Sequence, residues 1–390
     1  MAPFVLAGFA AFLSLYSPQP ILPLFERVFG ASHFTSSLTI TATTIGVAIA
    51  APLVGRVADV IGKRRVVVSA AFLLAGLTLL TATSRSLAQV IVWRFALGLV
   101  TPGVFAVAVA FIHDRWTGHR AAQVTAAYVS GTVVGGFCGR LFSGQAAAVW
   151  GWRASFAGVG AVGLVCAVVL ALWLPSDRGA HVTHVAHTTD PAHLMSRLTT
   201  RPLVGTYVAG FFLLFSQVAM FTYVTFHLAA PPYLLTTAAL GWLFAVYLAG
   251  AMVTPVAANW ITRYGYRATL AIAMAIGVAG SLLTLGRPLA AIIVGLALVC
   301  SAIFVAQTAA NGHIGVAAQS DRGLAVGLYA TSYYVGGSAG GAVPSMFWAS
   351  GGWTACVALT IAVQLIAAGI GWMSWMGRRV RLPADEWTSG

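Results

Sequence analysis

The feature that most constrains this chain is a succession of apolar stretches, each long enough to cross a bilayer, separated by short basic loops. A hydrocarbon core about 30 Å thick takes roughly 20 helical residues to span. Twelve such runs are expected, at about 4–25, 35–54, 66–83, 87–110, 121–143, 154–174, 203–227, 235–257, 268–285, 289–308, 324–347 and 354–376. Only 7% of residues are charged and 59% are hydrophobic, with a mean hydropathy of +0.89. A soluble domain carries roughly 25% charge to cover its surface. The fold class expected is therefore an all-α membrane protein with twelve transmembrane helices. The first run lacks a basic leader and reaches Glu26–Arg27 without a cleavage site, so it reads as a first span rather than a signal peptide.

The net charge of +13 raises the possibility of a nucleic-acid partner. Its distribution excludes one, because the basic residues form short clusters between apolar runs and build no continuous face. With an inside start, fifteen lysines and arginines fall in the cytoplasmic segments and four in the outer ones. Arg94 and Arg140 remain inside spans. This asymmetry places both termini in the cytoplasm. Cys138, Cys166, Cys300 and Cys356 all lie within spans and read as small buried hydrophobes, not as a disulfide framework or metal cluster. His181, His184, His187 and His193 cluster in the central polar interval, where a solvated linker accounts for them and no metal is expected.

That interval, 175–201, divides the chain into a six-helix bundle at 1–174 and a second at 202–390 with a short tail. The halves share sequence. Pro52-Leu-Val-Gly55 followed by Gly62-Lys-Arg64 answers Pro255-Val-Ala-Ala258 followed by Gly265-Tyr-Arg267, at an offset of 203 residues. Tyr128-Val-Ser-Gly131-Thr-Val-Val-Gly135-Gly136 answers Tyr333-Tyr-Val-Gly336-Gly-Ser-Ala-Gly340-Gly341, at an offset of 205. Two parallel six-helix repeats follow, related by an axis near the membrane normal.

The loop between the second and third runs reads Gly55-Arg-Val-Ala-Asp59-Val-Ile-Gly62-Lys63-Arg64-Arg65. It resembles the signature of the major facilitator superfamily at this topological position. Arg94-Phe-Ala-Leu-Gly98 is similar to that superfamily's fourth-span motif, and Gly131 to Arg140 resembles the fifth-span glycine motif of its drug/proton antiporter branch. Gly136 stands where that motif commonly carries proline. Gln19-Pro-Ile-Leu-Pro23, Trp150-Gly-Trp152-Arg153 and Tyr333-Tyr-Val-Gly-Gly337 add a finer resemblance to bacterial arabinose-efflux-like inner-membrane exporters. The resemblance implies the major facilitator fold, a bacterial inner-membrane location and alternating access. It also implies that Asp59 latches the halves near spans two and eleven in the outward-facing state, with Gly55, Gly62 and Arg64 as parts of that gate.

The residues carry physical readings of their own. Lys63 to Arg65 suit pairing with carboxylates and the inner leaflet, and glycines at 55 and 62 permit tight backbone turns. Arg94 lies roughly 10 Å inside the membrane by helical rise. A cation there should face the bundle interior, where it orients substrate or bonds to backbone. Arg140 is nearer the outer end of its span, within reach of snorkelling. Gly131 with Gly135, and Gly336 with Gly340, lie one helical turn apart and serve either close packing or sliding at the domain interface.

The resemblance places spans one, four, seven and ten around a central cavity. Compatible substrate-binding residues are Tyr16, Gln19, Arg94, Tyr128, Phe211, Phe215, Gln217, Phe221, Trp242, Gln307 and Tyr333, with Phe12, Tyr223, Tyr247 and Asn311 nearby in sequence. Aromatic walls with few polar groups suit an amphipathic, drug-like solute exported in exchange for protons. The alternative is uptake or efflux of one metabolite, such as a sugar or organic anion. No carboxylate falls at mid-span, so the proton is expected on Glu26, Asp59 or His227, in that order. No enzyme activity, metal or organic cofactor is expected. The partners are a small-molecule substrate and membrane lipid, and the protein is expected to act as a monomer.

Overall fold

The computed structural model describes residues 1–176, 198–318 and 322–375, and all regular structure in them is helical. The first half contains α1 (Ala2–Leu15), a 3-10 turn (Gln19–Ile21), α2 (Leu22–Phe29), α3 (His33–Ile61), α4 (Lys63–Ala82), α5 (Leu87–Val100), α6 (Pro102–Arg115) and α7 (Gly118–Trp173). The second contains α8 (Arg201–Ala229), α9 (Thr237–Leu243), α10 (Val246–Leu283), α11 (Leu289–Ala317), α12 (Arg322–Ala342) and α13 (Pro344–Ser374). Helices dominate because a segment in hydrocarbon must satisfy its backbone groups internally.

Nine helical stretches among the described residues are long and apolar enough to cross a bilayer, rather than the twelve separate ones expected. The difference has three sources. The stretch Gly118–Trp173 counts once although Gly151 leaves helical geometry within it. Thr237–Val253 is short, and α12 falls outside the nine. The first span is also not the continuous helix expected. Pro18 and Pro20 carry no N–H, and the chain between α1 and α2 tightens into the 3-10 turn.

The sequence repeat is visible in the backbone. Gly62 ends α3 at φ 99°, and Gly265 bends α10 at φ 78°. Gly151 bends α7 at φ 83°, and Gly352 bends α13 at φ 58°. These left-handed values favour glycine, and each pair lies at matching places in the two halves.

Packing within each half rests on glycine grooves. Gly131, Gly135 and Gly139 of α7 bring its backbone onto Val5, Phe9 and Leu13 of α1. Gly336 and Gly340 of α12 bring its backbone onto Phe211 and Phe215 of α8. Both grooves lie inside a half, so of the two readings of these glycines the contacts present are those of close packing within a half. A four-residue spacing reports a packed helix face without saying which helix fills it.

The halves meet elsewhere. We term the end carrying Arg56 and Lys63–Arg65 the basic end, and the opposite one the far end. Toward the far end Thr41 Oγ1 donates to Ser338 O at 3.2 Å and Ser338 Oγ returns a bond to Thr41 O at 3.0 Å. Tyr223 Oη donates to Gly341 O at 3.0 Å, Gln145 Nε2 to Ala238 O at 3.0 Å, and Gly144 packs on Gly241. Toward the basic end α3 changes character. Its residues from Ser36 to Val47 are mostly buried, whereas Leu53, Arg56, Val57, Asp59, Val60 and Ile61 are exposed.

Candidate functional site

Two interrupted helices, one from each half, face each other across α7. Pro18 supplies no N–H to Ser14 O, and the Gln19 N–H is drawn to Tyr16 O at 3.1 Å, which leaves Ser14 O and Leu15 O without their helical donors. Arg94 takes both. Its Nη1 donates to Ser14 O at 2.7 Å, Nη2 donates to Leu15 O, and Nε lies 3.5 Å from Thr39 O. Arg94 is 0% exposed. Placed in the substrate set from its sequence, Arg94 here caps the end of α1, with three of its five N–H donors on backbone carbonyls.

The second interruption lies between α9 and α10. Ala245 N–H bonds Trp242 O at 2.9 Å and Tyr247 N–H bonds Phe244 O at 3.1 Å, so the backbone tightens locally to 3-10 pairing. This presents Phe244 and Tyr247 to Arg140 of α7. The Arg140 guanidinium carbon lies 4.9 Å from the Tyr16 ring centroid, 5.0 Å from that of Phe244 and 4.6 Å from that of Tyr247. Such distances give cation–π attraction from both halves. Arg140 Nε donates to Gln19 Oε1 at 2.7 Å and Nη1 to Gly136 O at 2.8 Å. Arg140 is only 3% exposed, which corrects the expectation that it snorkels toward an interface.

Around this cage, Gln19 Nε2 donates to Thr222 Oγ1 at 3.3 Å, and the Gln217 side chain lies near the Tyr247 hydroxyl. The Phe221 ring meets Tyr247 edge-on at 4.6 Å. Tyr16, Gln19, Gln217 and Phe221 are thus brought together around Arg140 and Tyr247. Tyr333 stacks on Tyr329 at 5.8 Å and meets Tyr334 at 5.5 Å, while Tyr334 faces Phe105 of the other half at 5.7 Å. Tyr128 Oη donates to Phe105 O at 3.2 Å. Gln307 is half-buried, one turn beyond Phe304, whose ring lies 6.4 Å from Tyr247. Phe12 meets Phe105 at 6.4 Å, and Asn311 is exposed.

Three expected cavity residues lie elsewhere. Phe211 and Phe215 carry the backbone on which Gly336 and Gly340 pack, and their rings form a cluster with Ala219 and Val363. They occupy a different face of α8 from the one used by Gln217 and Phe221. Trp242 is 58% exposed, 6.3 Å from Phe137.

The gate residues are also redistributed. Arg64 Nε donates to Leu174 O at 2.9 Å and Nη2 to Ala171 O at 2.6 Å, so Arg64 caps the end of α7 in its own half. Lys63 pairs with Asp114 at the end of α6. Asp59 is exposed and forms no hydrogen bond or ion pair with a described residue, and Gly55 has nothing within reach of a side chain. Among the described residues no contact of Asp59 latches α3 to α12 at the basic end.

Of the coupling candidates, Glu26 Oε1 lies 3.2 Å from His33 Nδ1. His33, not singled out in the sequence, sits 4.6 Å from the Phe226 ring and 4.9 Å from that of Trp348 across the seam. His227 stacks on Trp353 at 5.2 Å and meets Tyr233 at 5.3 Å. The linker histidines lie outside the described residues. No group of three His, Cys, Asp or Glu able to hold a metal occurs among the described residues.

Sequence reasoning named Tyr247 as a cavity candidate and Arg140 as a snorkelling residue, but it missed Phe244 and the cage as a unit. A signal existed. The Pro18-Gln-Pro20 break opposite a mid-span arginine marks non-helical backbone, which membranes tolerate where it lines a cavity or is buried in protein.

Comparison with known proteins fits this geometry. The family model described as Major Facilitator Superfamily matches residues 4–231. The inner membrane transport protein YnfM of Escherichia coli (strain K12) is 31% identical over 362 residues, covering 93% of this chain and 87% of that protein. The uncharacterized MFS-type transporter YybF of Bacillus subtilis (strain 168) is 28% identical, covering 97% of this chain and 94% of that protein. A bacterial homolog of the human lysosomal transporter Spinster, in an inward-facing and occupied conformation, superposes with a TM-score of 0.77 at 15% identity, covering 96% of each chain. The human organic anion transporter MFSD10 superposes with a TM-score of 0.68 at 20% identity, covering 95% of this chain and 97% of that one.

Proposed function

The chain belongs to the Major Facilitator Superfamily, and from that premise we propose that it moves one specific small metabolite across a bacterial inner membrane by proton-coupled alternating access. It is a multi-pass membrane transporter and not an enzyme. The observation that carries the mechanism is the uneven seam: the halves are hydrogen-bonded toward the far end, while the basic end of α3 is exposed and its Asp59 unlatched. That arrangement is one of the two states an alternating-access transporter visits, with its site open toward the basic end. The excess of basic loops supports assigning that end to the cytoplasm.

Twelve spans follow in this reading if Gly118–Trp173 is divided at Gly151, Thr237–Val253 is extended to Gly265, and α12 is counted. The bundles are then 1–174 and 202–390, joined by 175–201, and one chain contains a whole pathway.

A specific metabolite is favoured over a spectrum of drug-like solutes. A promiscuous wall needs many uncommitted aromatic faces. Here Phe211 and Phe215 are committed to the α8–α12 groove, while the central rings close on one arginine. The fifth-span glycine motif supports the export of drug-like solutes instead, and the same assay decides between them. Purified protein in proteoliposomes is given cationic, neutral and anionic solutes with and without a pH gradient. Flux of a narrow chemical class, responding to the gradient, is expected. Broad flux of unrelated amphipathic cations excludes the metabolite reading, and the absence of flux for every class excludes transport. Counter-directed or co-directed proton movement sets the direction.

A further inference from the structure

We propose that Arg140 is the anchor for the carboxylate of a small organic anion, bound where the two interrupted helices meet. This rests on the transport reading above and names the substrate class of the same site.

A buried arginine without a counter-charge is costly unless something satisfies it. The chain has eight acidic residues. Of those in the described part, Glu26 pairs with His33, Asp59 is exposed and Asp114 pairs with Lys63. The others, at 177, 190, 321, 385 and 386, lie outside the helices that form the cage. No carboxylate of the described residues therefore faces Arg140.

Arg94 shows how this fold satisfies a cation when no ligand is needed. It is equally sealed and equally lacks a carboxylate, but each of its three nitrogens faces a backbone carbonyl. Arg140 is treated differently. Its Nε and one N–H of Nη1 are held by Gln19 and Gly136, and Nη2 makes no hydrogen bond to a described residue. The two anchors fix the plane of the guanidinium and leave its Nη1–Nη2 edge with unused donors. That edge matches the two oxygens of a carboxylate. The rings of Tyr16, Phe244 and Tyr247 hold the cation meanwhile, through faces that accept no N–H as strongly as an anion does.

A monocarboxylate is favoured over a phosphate monoester. The latter carries about −1.5 to −2 charges at neutral pH, and the second buried arginine is already occupied by α1. Position adds a consequence. Arg140, Tyr16 and Gln19 belong to the first half, Phe244 and Tyr247 to the second, so a bound anion touches both halves and its affinity differs between the two states.

The test is equilibrium binding to the full-length protein in detergent, by calorimetry and thermal shift, with benzoate, its neutral isostere benzamide, benzylamine and phenyl phosphate as probes. Benzoate is expected to bind at least ten-fold more tightly than each of the others. Gln19→Glu sets an internal carboxylate of the same shape against Arg140, and is expected to weaken benzoate at least ten-fold while the melting temperature holds or rises. Arg140→Lys keeps the charge and loses the fork, and is expected to weaken it similarly. Equal binding of benzoate and benzamide, or full benzoate affinity in folded Gln19→Glu, overturns the proposal, as does tighter binding of phenyl phosphate. No flux is needed for this measurement. Benzoate binding without transport refutes the transport reading alone, and gradient-driven flux of a neutral solute without benzoate binding refutes this one alone.

Discussion

A single methyl group at Gly341 is expected to loosen the far-end seam. Gly341 of α12 lies against Thr41 of α3, and a Cβ there would contact Thr41 Oγ1, with Thr41 N at 3.4 Å and Thr41 Cβ at 3.5 Å. The Thr41 hydroxyl already donates to Ser338 O at 3.2 Å. Rotating it away sacrifices that bond, worth about 0.5–1.5 kcal/mol. Keeping it forces α3 and α12 apart, and overpacking of this kind costs about 1–3 kcal/mol. The cheaper route sets the scale at about 1 kcal/mol, equivalent to about a five-fold change in the ratio of far-end-closed to far-end-open molecules. Gly135→Ala is the control. Its Cβ would meet Phe9 Cα at 2.6 Å, a harder clash, yet α1 and α7 belong to one half. It should lower the melting temperature and leave the ratio alone. Nitroxides at Val28 and Met346, both exposed and on opposite halves, report the seam by pulsed dipolar spectroscopy in a cysteine-free background. Gly341→Ala is expected to add a longer-distance population. Distances identical to wild type, or an equal shift in Gly135→Ala, refute the reasoning.

Arg94→Gln should lower thermal stability steeply, because charge-assisted bonds to carbonyls contribute about 1.5–3 kcal/mol each and Ser14 O and Leu15 O lose theirs; a melting temperature within a degree of wild type contradicts the capping role. Asp59→Asn should leave the melting temperature unchanged, since Asp59 has no partner among the described residues, and should reduce the population closed at the basic end; label distances between the basic ends of α3 and α12 check this, and wild-type populations remove Asp59 from the gate. His33→Gln removes the ring that lies between Glu26, Phe226 and Trp348 across the seam, so far-end opening should grow relative to wild type; Val28–Met346 label distances identical to wild type exclude His33 as a seam contact.

Much of the architecture was legible because hydrocarbon imposes strict rules on a chain. The helical class, the repeat and the turn glycines follow from span length, self-similarity and the cost of a left-handed backbone. Gly62 with Gly265 shows this directly, since both take positive φ at matching bends. The candidate site was legible only in part. Tyr16, Gln19, Gln217 and Phe221 converge, whereas Phe211, Phe215 and Trp242 do not. An aromatic residue inside a span announces that it is packed, and its sequence position does not say against what.

The sequence by itself determined that this chain crosses a membrane several times, that its two halves share motifs at a nearly constant offset, and that its mid-span arginines lack mid-span carboxylates. Those properties depend on composition and order alone. Only the tertiary structure shows which donors of each arginine are already bonded. Arg94 and Arg140 look alike in sequence, each a cation in an apolar span. Pro18 frees two carbonyls beside Arg94, and those carbonyls use its donors. Arg140 meets one glutamine, one carbonyl and three rings, and part of its guanidinium edge stays free. The distinction rests on which backbone groups come within about 3 Å of each guanidinium. That is a property of how separate helices pack, which no single helix's sequence encodes.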